Sequence, residues 1–236
     1  MGKKKLARWA ELETLNNVIQ AEKGRPGKDH PLKGNWKGEV FCNGNRIVLE
    51  LGCGKGEYTV GLSSAFPDSN FIGIDIKGAR IWKGAKTAHL NKISNVAFLR
   101  TRIEFIASYF SGDEVDEIWI TFPDPHPGKR NSNKRLTCPW FLNVYRNFLI
   151  DDGIIHLKTD NTELYDYTRS LARENDLVVL QDTADLYSER LSIGTLSIRT
   201  YYENIFLEKG HKIKYLSFKL KKNKVITDAV TTLRNS

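Results

Sequence analysis

The chain has 236 residues, of which 40% are hydrophobic and 27% are charged, and its formal net charge is +8. This composition is typical of one globular domain with short extensions, and no apolar run is long enough to predict a membrane-spanning helix. The positive charge favours a polyanionic partner such as nucleic acid.

The amino terminus and the metal-binding residue types exclude further classes. The opening MGKKKLARWAELE has no apolar signal region, so we expect a cytoplasmic protein without membrane association. Cys42, Cys53 and Cys138 have no CxxC spacing, which argues against a disulfide framework or a zinc site. The histidines and acids form no metal-ligand pattern, so we also expect no bound metal.

The first 45 residues combine cations and glycines with little periodicity. They predict a basic arm, opened by the lysines at 3–5 and by Arg8, and then a loop-rich lead-in. We therefore expect an arm and lead-in at 1–45, the main domain at 46–220 and a basic, polar tail at 221–236.

Predicted strands and helices alternate from Arg46 onward. Short apolar runs predict strands at 46–51, 70–75, 96–100, 116–122, 153–159, 177–181 and 213–220. Amphipathic stretches predict helices at 56–65, 78–92, 103–110, 139–149, 162–174 and about 200–209. This α/β order predicts a seven-stranded, mostly parallel Rossmann-like sheet. The short link at 209–212 permits an antiparallel last strand.

The first predicted strand runs directly into a glycine-rich turn, ELGCGKG at 50–56. Glycines permit a tight turn and a close approach between backbone and ligand. The spacing is GxGxG rather than the dinucleotide pattern GxGxxG, and the carboxylate of Glu50 would repel a pyrophosphate. Glu50, Gly52 and Gly54 therefore suit a nucleoside with a cationic amino-acid end, such as S-adenosyl-L-methionine.

An acid, Asp75, closes the second predicted strand. At this place in an α/β sheet an acid accepts hydrogen bonds from ribose hydroxyl groups. Alone, Asp75 could equally be a surface acid at a strand end. The glycine turn after the first strand and the acid after the second stand in the order that nucleoside binding requires, which favours that interpretation.

A second acid, Asp124, lies between two prolines after the predicted strand 116–122. Proline restricts its own φ and biases the preceding residue towards extended structure, so Asp124 would project from a stiff turn at the ligand-binding edge of the sheet. The loop that follows carries cations that suit phosphate groups, namely Lys129, Arg130, Lys134 and Arg135. The alternative is a solvated surface loop with a structural proline turn.

Taken together, these motifs resemble those of the bacterial tRNA (guanine-N7)-methyltransferase family, a class I S-adenosylmethionine-dependent group, from residue 46 to about residue 220. The resemblance is carried by ELGCGKG (50–56), GID (73–75), TFPDP (121–125), KRNSNKRL (129–136), KTDN (158–161) and TYYE (200–203). The chain departs from the family at His126 and Gly128, where tryptophan and lysine are usual. Lys129 is the cation that could replace this lysine.

The resemblance implies methylation of N7 of guanosine at position 46, in the variable loop of tRNA, with S-adenosyl-L-methionine as cofactor. It implies that the cofactor lies against Glu50, Gly52, Gly54, Asp75, Arg102 and Asp124, with Asp124 also at the catalytic centre. The family often has a carboxylate or amide at the position of Arg102, so a backbone contact is the alternative there. The implied substrate-binding residues are Lys129, Arg130, Asp160, Thr200, Tyr201, Tyr202 and Glu203.

Several of these residues have a structural alternative. Asp160 could be the N-cap of helix 162–174, and Glu203 could be a solvated helix residue. Tyr201 and Tyr202 could pack in the helix layer rather than stack on bases. Two other functions stay open, namely another S-adenosylmethionine-dependent RNA methyltransferase and a non-catalytic tRNA-binding subunit with the same fold. We expect a monomer or homodimer without an obligatory protein partner.

Overall fold

The computed structural model describes residues 3–20 and 28–228, without the side chains of the lysines at 3–5. The side chains of those lysines, at the start of the predicted basic arm, lie outside the described residues, and the predicted tail is described only to residue 228. In the described part of the chain, every helix is too short or too polar to cross a lipid bilayer.

The described residues form a regular succession of helices and strands. The α-helices are α1 (Lys3–Leu12), α2 (Glu57–Ala65), α3 (Gly78–Leu90), α4 (Pro139–Tyr145), α5 (Thr162–Glu174) and α6 (Tyr201–Glu208). The strands are β1 (Val18–Gln20), β2 (Arg46–Leu51), β3 (Ser69–Asp75), β4 (Val96–Arg100), β5 (Val115–Thr121), β6 (Leu149–Thr159), β7 (Val179–Thr183) and β8 (Lys214–Leu220). Shorter helical turns cover Trp36–Phe41, Ile103–Ser108, Lys129–Lys134 and Gly194–Ser197.

The strands form one sheet in the order β1-β4-β3-β2-β5-β6-β8-β7. The strands from β1 to β6 in this order pair in parallel, whereas β8 pairs antiparallel with both β6 and β7. Both faces of the central strands are covered, which explains the nearly continuous apolar sequences of β2 and β3. The predicted mostly parallel α/β sheet with a reversed last strand is confirmed.

The lead-in contains a helix and a strand that the sequence did not predict. β1 pairs with β4, with Val18 opposite Phe98, and adds an eighth strand to the predicted seven. α1 packs on α3, where the indole Nε1 of Trp82 donates to Glu11 Oε2 at 2.8 Å. β1 has only three residues, too few for a hydrophobic period to identify, and contacts with the rest of the fold stabilise both elements.

Two further segments differ from their predicted form. Residues 103–108 form a 3-10 helix rather than an α-helix. α4 ends at Tyr145, because β6 already begins at Leu149, where it pairs with Val115. Periodicity along the chain does not record strand pairing, so the boundaries shift while the order of elements is kept.

The apolar core occupies both faces of the sheet and fixes the positions of the strand ends. α4 and α5 cover one face, and α2 and α3 cover the other. Within the second layer the Trp119 indole stacks on the His156 imidazole, with ring centroids 3.9 Å apart. Because β2, β3, β4, β5 and β6 run parallel, their carboxyl ends meet at one edge, where ligands bind in open α/β sheets.

Candidate active site

The glycine turn after β2 has a backbone that side chains would strain. φ is 73° at Gly52 and 70° at Gly56, in the left-handed region that favours glycine. A Cβ on Gly56 would also lie 2.5 Å from the Phe98 ring. The amide of Gly52 donates to the Ile74 carbonyl at 2.8 Å, so the turn is fastened to the end of β3.

The carboxylate of Glu50 lies beneath this turn and is almost fully buried, at 2% exposure. The hydroxyl of Thr121 donates to Oε1 at 2.5 Å, and the amide of Thr59 donates to Oε2 at 2.9 Å. The Thr59 hydroxyl donates to Oε2 as well. Burial raises the pKa of Glu50 to about 7, because it disfavours the charged form more than these hydrogen bonds favour it. A cationic ligand group beside Glu50 would stabilise the ionised carboxylate.

The carboxylate of Asp75, at the end of β3, is oriented by two backbone amides. The amide of Gly54 donates to Oδ2 at 3.0 Å, and the amide of Lys77 donates to Oδ1 at 2.7 Å. An ionised carboxylate offers about four acceptor positions, so each oxygen can still accept a bond from a ligand hydroxyl. Glu50 and Asp75 therefore occupy the same corner of the sheet with fixed orientations.

Two adjoining cavities lie at the carboxyl edge of the sheet. The main cavity, about 640 Å³, is lined by the loops after β3, β4 and β5 and includes Asp75, Arg102 and Asp124. The smaller cavity, here called the recess, includes Glu50, Gly52, Gly54, Thr200 and Tyr202. Both are lined by Gly52, Arg80 and Phe122, so they form one cleft. The volume is in the range of small-molecule sites.

The turn that carries Asp124 is strained on both sides. φ is 47° at Phe122 and 45° at His126, although neither is glycine. Strain of this kind persists where the surrounding fold enforces it, and it is concentrated at ligand sites. The exposed carboxylate of Asp124 has no hydrogen bond or ion pair with another residue in the described ranges. It lines the main cavity and is available to a ligand.

The basic loop after this turn presents cations to solvent. Lys129 and Arg130 are exposed in the 3-10 helix Lys129–Lys134 and form no ion pair within the residues that the structure describes. Neither residue lines the cleft, whereas Lys134 lines the main cavity. The loop therefore offers positive charge beside the cleft rather than inside it.

Arg135 differs from the other loop cations because its side chain is buried. Its guanidinium donates to the carbonyls of Pro125 and His126 and forms an ion pair with Glu163 at 2.5 Å. It also lies over the Tyr167 ring, 4.5 Å from the centroid. The prediction that Arg135 contacts phosphate is therefore wrong for this structure. Arg135 instead holds the proline turn against α5.

Arg102 lines the main cavity, but its guanidinium is paired within the protein. Nη2 lies 2.9 Å from Glu104 Oε1, and both side chains are exposed. Exposed pairs of this kind contribute roughly 0–1 kcal/mol, so a ligand could compete for the guanidinium. The backbone of Arg102 is extended at the start of the 3-10 helix Ile103–Ser108. Contact between Arg102 and a cofactor stays a prediction, through either the side chain or the backbone.

Asp160 follows β6 and is not the N-cap of α5, as one sequence-based interpretation held. Asn161 is the cap, since its side-chain oxygen accepts the amide of Leu164 at 2.8 Å. Asp160 Oδ2 lies 3.2 Å from Nδ1 of His211, and the Asp160 side chain is partly exposed. It lines neither cavity, but a substrate that covers this edge could reach it.

Glu203 has no exposed surface, so both interpretations of its side chain are wrong for this conformation. It neither contacts a substrate directly nor points into solvent. Its Oε1 lies 2.8 Å from Nζ of Lys158 and accepts the Tyr187 hydroxyl at 2.8 Å. Lys158 is equally buried and also donates to the carbonyls of Leu196 and Ile198 at 3.2 and 3.1 Å. The pair fastens α6 to β6 and to the segment that precedes α6.

The start of α6 presents polar and aromatic groups at the recess. The hydroxyl of Thr200 accepts the amide of Glu203 at 3.1 Å, and the Thr200 amide donates back to Glu203 at 3.4 Å, which is a capping box. Thr200 and Tyr202 line the recess. Tyr201 and Tyr202 are 50% and 41% exposed, so they are not buried in the helix layer. Nζ of Lys55 lies over the Tyr201 ring, 3.5 Å from its centroid.

Four residues that build the site were missed by sequence reasoning. Thr121 and Lys158 lie inside the motifs TFPDP and KTDN, so their positions were a usable signal. Thr59 and Arg80 carry no such signal, because their contacts arise only when α2 and α3 pack beside β2.

Metal-binding groups are not gathered at this edge. In residues 3–20 and 28–228, no group of three or more His, Cys, Asp or Glu side chains is placed to hold a metal ion. The three cysteines are free thiols. The ligand-binding groups of the cleft are carboxylates, hydroxyls, cations and backbone.

Comparisons with known proteins agree on one family. A sequence profile described as "Putative methyltransferase" matches residues 44–216. The chain is 48% identical over 221 residues to the tRNA (guanine-N(7)-)-methyltransferase of Bacteroides fragilis (strain YCH46), covering 93% of this chain and 87% of that protein. It is 54% identical over 213 residues to the protein of the same name from Porphyromonas gingivalis (strain ATCC BAA-308 / W83), covering 89% and 86%.

A solved structure of similar fold extends this comparison. The 16S rRNA methyltransferase KamB superposes with a TM-score of 0.62, covering 83% of this chain and 97% of that chain. The two are 12% identical in sequence, so this match supports the fold alone. On the sequence matches over nearly its full length, the chain belongs to the tRNA (guanine-N(7)-)-methyltransferase family.

Proposed function

We infer that this protein methylates N7 of guanosine in tRNA with S-adenosyl-L-methionine as the methyl donor. The observation that carries this inference is the cleft in which Glu50, Asp75 and Asp124 border adjoining cavities, in a chain of this family. We propose guanosine 46 of the variable loop as the target, on the family resemblance alone.

The cleft fits the proposed cofactor at both of its ends. The amino-acid end is cationic at its ammonium group, and Glu50 is a buried carboxylate whose ionised form needs such a partner. The ribose presents two hydroxyls, and Asp75 is a carboxylate held by two amides. The main cavity lies beyond Asp75 and has room for a nucleoside. When bound, S-adenosylmethionine supplies an electrophilic methyl group on its sulfonium.

The chemistry requires placement more than proton transfer. Guanine N7 carries a lone pair, so no proton has to leave the attacking atom, and the enzyme's task is to align N7 with the methyl group. Positive charge develops on the purine ring as the methyl group arrives. A carboxylate near the ring stabilises that charge more in the transition state than in the ground state. Asp124 is our candidate, because its carboxylate has no partner among the residues that the structure describes and lines the main cavity.

Substrate binding is assigned to the side of the cleft formed by β6 and α6. We propose that Asp160, Thr200, Tyr201 and Tyr202 contact the target nucleotide, with the exposed tyrosine rings offering stacking surface. Glu203 is given a positioning role, since it is buried and holds the start of α6 through Thr200 and Lys158. No movement of α6 is required for this assignment.

The exposed cations of the basic loop are assigned to tRNA phosphates. Lys129 and Arg130 are unpaired within the described residues, and Lys134 adds charge at the cavity rim. Phosphate contacts give affinity that falls steeply as salt rises, because bound counterions are released. They do not choose the base, so base choice is left to the groups around the cleft.

The test is transfer of labelled methyl from S-adenosylmethionine to unmodified tRNA transcript, followed by nucleoside analysis of the digest. We expect 7-methylguanosine, and loss of the signal when the guanosine at position 46 is replaced. Asp124→Ala should lose the product, whereas Asp68→Ala, an exposed acid at the opposite end of β3, should keep it. Label in another nucleoside would assign a different RNA methyltransferase activity. No label from folded protein that binds tRNA would assign a binding subunit.

A further inference from the structure

Arg80 occupies the junction between the two cavities. It lies in the first turn of α3, its side chain is exposed, and it lines both the main cavity and the recess. Gly52 and Phe122 are the other residues common to the two linings. A ligand that spans the cavities has to pass this guanidinium.

The other cations near the recess are already engaged. Lys55 lies over the Tyr201 ring, and Lys83 lies 2.8 Å from Glu57 Oε1. The guanidinium of Arg80 has no ion pair or hydrogen bond with another residue that the structure describes. Of the two cations that line the recess, Lys55 and Arg80, Arg80 is the one that forms no ion pair, hydrogen bond or cation–π contact with another described residue.

Most backbone amides of the glycine turn are already engaged within the protein. The amides of Gly52 and Cys53 donate to the Ile74 carbonyl, the amide of Gly54 donates to Asp75, and the amide of Gly56 donates to Cys53. The first amides that could serve as an anion-binding nest are therefore used within the protein. A guanidinium offers an anion in the recess a full positive charge and charge-assisted hydrogen bonds, which backbone amides do not.

The carboxylates of the recess disfavour an anion unless a cation offsets them. It is lined by two carboxylates, Glu50 and Glu57, and Glu57 already has Lys83 and the amide of Tyr201 as partners. An amino-acid end carries both an ammonium and a carboxylate group. Glu50 matches the ammonium, and the carboxylate is left without a partner among these residues.

We propose that Arg80 binds the anionic group of the ligand at this junction, and that this group is the methionine carboxylate of the cofactor. The guanidinium fork matches a carboxylate with two parallel hydrogen bonds. The assignment rests on the proposed use of S-adenosylmethionine. A phosphate of the target nucleotide presents the same chemistry, and the experiment separates the two sources.

The experiment compares S-adenosylmethionine with its decarboxylated analogue, S-adenosylmethioninamine, by calorimetric titration of wild type and Arg80→Ala. We expect Arg80→Ala to weaken S-adenosylmethionine binding by about 10- to 100-fold, as for a lost charge-assisted hydrogen bond. Binding of the decarboxylated analogue should stay within about twofold of the wild-type value, because that ligand has no carboxylate for Arg80 to bind. Arg80→Lys should fall between the two, since an ammonium keeps the charge but not the fork.

The matched control is Lys77→Ala. Lys77 is an exposed neighbouring cation that lines the main cavity but not the recess. It should leave the ratio of the two affinities unchanged. The thermal midpoint of Arg80→Ala should equal that of wild type, because the removed side chain has no protein partner in the described residues.

The outcomes separate this proposal from the function on which it rests. Equal weakening of both ligands, or no weakening of either, would overturn the carboxylate assignment while wild-type binding still supports the proposed cofactor. A raised KM for tRNA with unchanged cofactor affinity would overturn it in favour of a phosphate. Failure of wild type to bind S-adenosylmethionine would overturn the proposed function itself.

Discussion

Two regions of the cleft hold their charged groups in opposite ways. One is the corner between β2 and β3, and the other is the side formed by β5, β6 and α6. Glu50 and Asp75 are held by hydroxyls and backbone amides before any ligand arrives. Asp124, on the other side, has no protein partner in the described residues. The first region is preorganised for a small ligand, whereas the second, on the function proposed above, is completed by the substrate.

The second region also contains a charge pair that no ligand can reach. Lys158 and Glu203 are both fully buried and satisfied by each other and by neighbouring groups. Burial of an ion pair carries a desolvation cost that often exceeds the Coulombic gain. We therefore assign this pair a role in positioning its neighbours rather than in stabilising the fold. It sets where Thr200 and the two tyrosines stand relative to the cleft. The exposed groups at the start of α6 are thus supported by a buried pair.

The largest effect is expected on breaking the buried pair. Lys158→Met should lower the free energy of unfolding by about 3–5 kcal/mol, because it leaves Glu203 charged and unpaired in the core. Denaturant unfolding measures the change. The double variant Lys158→Met/Glu203→Leu should recover part of the loss, since no charge then remains buried. Equal instability of the single and double variants would show that the unpaired charge of Glu203 is not the main cause of the lower free energy of unfolding.

The next effect concerns the unpartnered carboxylate. Asp124→Ala should reduce kcat by about 100- to 1000-fold, the range for loss of one group that stabilises transition-state charge. Binding of tRNA and the free energy of unfolding should change little, because the side chain has no protein partner in the described residues. Steady-state kinetics and a tRNA binding titration separate these quantities. Parallel loss of kcat and tRNA affinity would refute the distinction between the two regions.

A pH effect is expected from Glu50. Its folded pKa, about 7, lies above its usual value of 4.5, so it contributes stability at acidic pH that is lost as pH rises towards 7. A cationic ligand needs the ionised form, so cofactor affinity should rise up to about tenfold per pH unit below pH 7 and level off above it. Calorimetry between pH 5.5 and 8.5, on the order of the range in which a group with this pKa titrates, measures the profile.

Glu50→Gln is the control for this pH effect. This variant should bind the cofactor weakly. Its cofactor affinity should also lose the rise between acidic pH and pH 7, because glutamine does not titrate. In the free protein, Glu50→Gln should gain stability relative to wild type between acidic pH and pH 8, by at most about 3 kcal/mol. An unchanged pH profile in Glu50→Gln would assign the titration to another group.

The smallest effect is expected on the exposed loop. Lys129→Gln/Arg130→Gln should weaken tRNA binding at low salt and reduce the slope of log affinity against log salt by about 2, with kcat nearly unchanged. Lys92→Gln, an exposed cation before β4, should leave the slope unchanged. An altered kcat would indicate that the loop contributes to the methyl-transfer step rather than only to binding of tRNA phosphates.

Local sequence patterns predict much of the fold and part of the candidate site. The alternation of apolar runs with amphipathic stretches predicts the α/β sheet, and the bounds of β2, β4 and α5 agree with the prediction. The glycine turn and the acids at the ends of β2 and β3 are local signals as well. A backbone that needs positive φ and an acid at a strand end both depend on residues that are neighbours in the chain.

Which side chains are buried depends on contacts between segments that are distant in the chain, and burial changed several of the expected roles. Arg135, Lys134 and Lys129 are similar in sequence context, yet one is buried under the proline turn while another is free in solvent. Glu203 lies only two residues after the exposed Tyr201 but is buried against Lys158, 45 positions earlier in the chain. The order of the elements and the acids at the strand ends could be predicted from the sequence, because both follow from local pattern. Burial, charge pairing and the position of Arg80 at the cavity junction depend on contacts between distant segments, which only the packed fold creates.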